Sequence, residues 1–214
     1  MSTSVLFILI IALMAAGAPY AIRSFFWNRF LKYIQNKQYD QALKLSQSKL
    51  FVFLFGEINT CWNQLKIYLE LNDAAQIENI TNDLFTKKLS KKQRAQIANS
   101  VYFYFLDSKN ADFAKKTLDQ LKLSCEAKEY QYNEILYHVL IDQKSDDIET
   151  VQSLLKESPK NSKEEGLLYY LLGLQYLYKK DSNQAIPYLN RAKNDLKGTP
   201  YHNKIKKIIQ TKEV

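Results

Sequence analysis

The side chains of this chain that could carry chemistry are two histidines, two cysteines and a few acid pairs, and no spacing between them builds a recognisable site. His138 lies inside the run YNEILYHVLI and His202 near the C-terminal end. Neither has an acid at a spacing that would orient it as a general base. Cys61 and Cys125 stand far apart, each in a helical pattern, without the C-x-x-C spacing that metal or redox work would need; they read as buried thiols. Asp146 with Asp147 and Glu164 with Glu165 precede helical runs, where negative charge suits the N-terminal end of the helix dipole. Phosphate-cradling glycine loops, H-E-x-x-H and G-x-S-x-G are all missing from the sequence. Asn79-Ile80-Thr81 spells a glycosylation acceptor, but its helical, cytoplasmic context makes it a chance match. The expectation is a non-enzyme with no catalytic residues, no metal site, no cofactor and no small-molecule substrate.

The elements that would position any site are helices. Gly and Pro number only 5 and 4 in 214 residues, too few for the tight turns of a β-rich fold, so an all-α chain is expected. Residues 5–22, from Val5 to Ile22, carry no charge and are about long enough to cross a bilayer as one helix. Arg23, Arg29, Lys32 and Lys37 follow this run and no charged side chain precedes it, which by the positive-inside rule puts the N-terminus outside and the remainder in the cytoplasm. Trp27 stands where an interfacial aromatic is expected.

A cleaved signal peptide is the alternative, with Ala16-Gly17-Ala18 as a possible cleavage site, and would make the domain a secreted or extracytoplasmic factor. The absence of Lys or Arg upstream and Pro19 after the cut favour an uncleaved anchor. No cysteine near the end of the run allows a lipoprotein anchor, and Ser2 rules out myristoylation. The net charge of +8 could serve nucleic acid, but Lys and Glu alternate along the helices without an Arg-rich stripe, so nucleic acid is not expected.

Glu165 to Pro200 carries Tyr169, Leu172, Gly173, Tyr176, Ala185, Leu189 and Ala192 in a helix–turn–helix spacing, and this segment resembles one unit of the tetratricopeptide repeat family. The resemblance implies a small residue at Gly173 for close helix approach, an aromatic at Tyr176, and Ala185 and Ala192 on the packing face of the second helix. Lys197 stands where the family often closes with proline. Stepping back by the family period of about 34 to 37 residues gives second-helix anchors at Ile148, Ala114, Ile77 and Ala42, each preceded by a turn signal (Lys144 to Asp147, Ser108 to Asn110, Asn72 to Asp73, Asn36 to Gln38). The resulting expectation is a TPR-like α-solenoid of helical hairpins preceded by one transmembrane helix: an anchor over 1–22, about five degenerate units over 23–199, and a capping helix and tail over 200–214.

Within that register the first helices would turn Gln96, Asn99 and Phe103, then Tyr130, Asn133 and Tyr137, then Leu167, Tyr170 and Leu174 toward a concave face able to take a protein or peptide partner. The competing reading makes the same aromatics core between helices. The family's carboxylate-gripping clamp does not carry over, since Leu167, Tyr170 and Leu174 stand where its charges would be needed. The run LFVFLF, Leu50 to Phe55, reads either as a buried link or as a patch meeting the bilayer or a membrane partner. Taken together, the expectation is a membrane-anchored scaffold with a membrane-associated partner, in contact with lipid through residues 5–22.

Overall fold

A computed structural model describes the backbone of residues 3–212 and the side chains of residues 17–212. The described residues form twelve α-helices and no strand: α1 (Thr3–Gln35), α2 (Tyr39–Ser46), α3 (Lys49–Phe55), α4 (Glu57–Leu71), α5 (Ala74–Thr86), α6 (Lys91–Asp107), α7 (Ala111–Lys122), α8 (Ala127–Leu140), α9 (Ile148–Glu157), α10 (Lys163–Tyr178), α11 (Ser182–Asp195) and α12 (Pro200–Thr211). They divide into two compact units, residues 1–90 and 91–214. Most of the apolar run over 5–22 falls on residues whose side chains lie outside those described, and among the described residues no helix is long and apolar enough to cross a membrane. The backbone of α1 is helical through Pro19 and onward to Gln35.

One turn chemistry recurs along the chain. Lys37, Asn72, Lys109 and Lys180 adopt the left-handed conformation, and each directly precedes the N-cap of a second helix. The N-cap amide then reaches back to an aromatic residue's carbonyl: Gln38 to Tyr33, Asp73 to Tyr68, Asn110 to Phe105, Asp181 to Tyr176, at 2.8–3.1 Å. This is the six-to-one bond that closes a helix end and frees the chain to reverse. Asp73, Asn110 and Asp181 also accept a side-chain hydrogen bond from the amide three residues on, capping α5, α7 and α11.

Each second helix buries a residue four positions after its N-cap. Ala42, Ile77, Ala114, Val151 and Ala185 are all fully buried, and their amides bond to the carbonyls of Gln38, Asp73, Asn110, Asp147 and Asp181. The spacings are 35, 37, 37 and 34 residues. Ile148, the anchor expected for the fourth pair, is instead the first residue of α9 and only half-buried. The correction has a local cause. Gln143 takes the left-handed turn and the Lys144 amide bonds to the His138 carbonyl at 2.9 Å, but further residues intervene before the N-cap Asp147, so the buried face begins one turn later, at Val151.

In the first unit, Phe30, Ala42, Leu43, Phe51 and Ile67 form a core flanked by Phe26, Trp27, Tyr33, Ile34, Phe55 and Tyr68. The run LFVFLF is neither simply buried nor simply exposed. It folds as α3, capped by the Ser48 hydroxyl, and turns Phe51 fully inward while Phe53 is 84% exposed.

In the second unit, Gly173 and Gly166 of α10 leave notches filled by Leu189 of α11 and by Leu196 at its end. Glu165 is almost fully buried at the start of α10; its carboxylate accepts from the Asn161 amide at 2.5 Å and from Lys160 Nζ at 3.3 Å, with Arg191 at 3.8 Å. Burial alone would raise its pKa, but these donors outweigh that cost and hold the carboxyl below its ordinary range. Side chains of one pair fasten to carbonyls of a neighbouring pair: Tyr102 Oη donates to Asn133 O at 2.6 Å, Lys109 Nζ to Leu140 O at 2.5 Å, and Tyr178 Oη back to Val139 O at 3.0 Å.

Candidate functional site

Two helices of the first unit carry matching stripes. On α1, Tyr20, Arg23, Ser24 and Trp27 follow the i, i+3, i+4, i+7 spacing of one helical face; on α4, Asn59, Trp62, Asn63 and Lys66 do the same. The stripes face each other across a cleft of about 550 Å³, closed at one side by Phe55 of α3. Each stripe therefore contributes one tryptophan and one cation.

The packing holds these groups in place. Trp27 stacks on the core Phe30 at 5.6 Å and meets Phe55 at 5.4 Å. The Arg23 guanidinium lies 5.3 Å above the Phe55 ring and Lys66 Nζ 4.0 Å from the Trp62 ring, both within cation–π range. Partial burial lowers the Lys66 pKa. No carboxylate lines the cleft, and among the described residues neither cation forms an ion pair. Asn59 and Asn63 each donate one side-chain N–H, to the carbonyls of Phe55 and Asn59 respectively. The Trp62 indole nitrogen is buried without a hydrogen-bond partner. A cleft of this kind can hold an anion beside an apolar body, because fixed cations and aromatic walls are present together.

The nine residues expected on a concave face fare differently. Gln96, Asn99 and Phe103 line one exposed face of α6, with Phe103 40% exposed and Asn99 Nδ2 donating to Glu129 at 3.2 Å. Tyr130 and Tyr137 of α8 are half-buried, with Lys122 and Lys115 near their rings. Leu167 is half-buried too. Asn133, Tyr170 and Leu174 are buried, so they present no contact surface. Tyr170 is covered by Tyr201 of α12, ring to ring at 5.6 Å, and the Tyr201 hydroxyl donates to Asp107 at the end of α6, 3.2 Å away. The final helix thus lays an aromatic side chain over a position that the repeat register leaves open.

Asp147 stands 3.1 Å from His138 Nδ1, an acid partner that sequence spacing did not reveal. The Asp147 carboxylate makes this contact and does not cap its own helix, while the Asp147 amide donates to Gln175 at 3.0 Å. The arrangement ties the α8–α9 turn to α10. Cys61 and Cys125 are both half-buried free thiols whose pKa values are raised, chiefly by burial, Cys125 to about 11; neither is an activated nucleophile. Among the described residues, His, Cys, Asp and Glu gather nowhere in a group of three that could hold a metal ion.

Comparison with protein-family models, with curated proteins and with solved structures finds no match.

Proposed function

We propose that the protein is a membrane-anchored, tetratricopeptide-like α-solenoid that binds a protein or peptide partner at the cytoplasmic face of the membrane and performs no catalysis. The observation that carries this reading is a fully buried side chain four positions after the N-cap of each of five second helices, at spacings of 35, 37, 37 and 34 residues, with a left-handed residue directly before the N-cap in four of them and a side-chain cap in three. Stacked hairpins of this period bury a shared core and leave first-helix side chains open to a partner. The exposed face of Gln96, Asn99 and Phe103 is the part of the expected surface that remains available.

Support for the anchor comes from where apolar side chains stay exposed. Tyr20 and Ile22 end the uncharged run over 5–22, beside Arg23 and Arg29, and with Phe25 and Leu31 of α1 and Leu50 and Phe53 of α3 they make six of the nine large apolar side chains exposed among the described residues. A bilayer surface gives such side chains an apolar setting and the cations an anionic one.

In-cell crosslinking of the tagged full chain, compared with Asn99→Ala combined with Phe103→Ala, tests the adaptor. A discrete partner captured by the parent and lost in the folded double variant is the expected result. Identical capture by both removes this face. A reporter fused after residue 214 checks the topology: activity confined to the cytoplasm is expected, and activity outside the membrane would favour the secreted alternative.

A further inference from the structure

We infer that the cleft between α1 and α4 binds one anionic phospholipid, its phosphate held by Arg23 and Lys66 and its glycerol and upper acyl carbons lying against Tyr20, Trp27, Phe55 and Trp62. The inference rests on the anchor reading for the lipid's delivery, since Arg23 follows the last residue of the apolar run and would stand at headgroup level. Its chemistry is on the page independently. The cleft holds two cations without a carboxylate, one a planar fork suited to two phosphate oxygens and one a point charge. Its volume is in the range that takes a small ligand or a headgroup.

The same geometry selects against a zwitterionic headgroup. A choline or ethanolamine nitrogen normally seeks an aromatic face or a carboxylate. Here the faces of Phe55 and Trp62 are already taken by Arg23 and Lys66, and no carboxylate lines the cleft. A second positive charge would find the Tyr20 and Trp27 rings but no carboxylate in the cleft, and would stand beside two like charges, whereas a headgroup carrying net negative charge meets two cations.

Trp27 and Trp62 are the two tryptophans of the chain, so indole fluorescence reports this cleft directly. The full chain is held in neutral detergent micelles and titrated with phosphatidylglycerol brominated on its acyl chains, then with phosphatidylcholine brominated in the same way. Quenching by the phosphatidylglycerol is expected at a several-fold lower mole fraction. Arg23→Gln combined with Lys66→Gln should weaken that response about tenfold. Lys206→Gln combined with Lys207→Gln, an equal charge loss on α12, should leave it unchanged. Equal quenching by both lipids in the parent overturns the proposal whatever the variants do, and so does an equal loss in the α12 control. The micelle holds the chain whether or not α1 spans a bilayer. Release from cell membranes by alkaline carbonate would therefore overturn the anchor alone, and lost lipid selectivity the cleft alone.

Discussion

Leu189 occupies the space that a side chain at Gly173 would take: a Cβ built on Gly173 would lie 2.5 Å from Leu189 Cγ and 3.4 Å from the Ala185 carbonyl. Leu189 is itself fully buried, so it has nowhere to go. Gly173→Ala should gain up to about 1 kcal/mol of helix propensity and lose about 1–3 kcal/mol to overpacking. The loss wins. A lower urea midpoint for the variant is the expected outcome, and an unchanged or higher midpoint would show that α10 and α11 can separate without cost.

Glu165 makes the second unit acid-sensitive. Its carboxyl is held below the ordinary range by the Asn161 amide, Lys160 and Arg191 despite burial. A depressed folded pKa contributes stability that is complete above the unfolded carboxylate range and is lost as the pH falls through the folded value. Thermal melting of the parent should therefore drop as acid is added below that range. Glu165→Gln should lower the melting temperature at neutral pH and flatten the acid-side fall.

The left-handed residue before α11 offers a stabilising change. Lys180 has φ of 61°, a conformation that costs a residue with a Cβ roughly 1–2 kcal/mol and glycine much less. The added chain entropy of glycine offsets part of this, so Lys180→Gly should stabilise by about 0.5–1 kcal/mol in urea unfolding. Destabilisation would mean that the lysine side chain holds the turn.

Phe51 and Phe53 stand two residues apart on α3 and should behave oppositely. Phe51 is fully buried against Phe30 and Phe55, so Phe51→Ala should cost about 3–5 kcal/mol. Phe53 is exposed, and Phe53→Asp should change the stability of detergent-held protein by no more than about 0.5 kcal/mol. Circular-dichroism melting of the two variants checks the contrast.

Local signals carried most of what could be read from the chain. Scarce Gly and Pro, the capping Asp and Asn residues, and the Gly173, Ala185, Leu189 and Ala192 pattern all act within one or two helical turns, and helices and turns stand where those signals lie. Longer reach escaped the reading. The burial of Tyr170 depends on Tyr201, and the displacement of the fourth anchor from Ile148 to Val151 depends on extra residues in the preceding turn. The LFVFLF run is uniformly apolar in sequence, yet a seven-residue helix divides it between core and surface. The two cleft stripes have regular helical spacing, but their mixture of aromatic, amide and cationic residues matches no simple apolar pattern. Only the cleft that α1 and α4 line together reveals them.

In the proposed adaptor the exposed α6 face meets a partner at the membrane. Photo-crosslinking from position 103 in intact cells, with a photoreactive phenylalanine in place of Phe103 and the same probe at Lys156 of α9 as reference, tests it most directly. A discrete membrane-associated adduct from position 103 that weakens with Asn99→Ala and is missing from position 156 is the expected result. No adduct from position 103, or the same adduct from both positions, would contradict it.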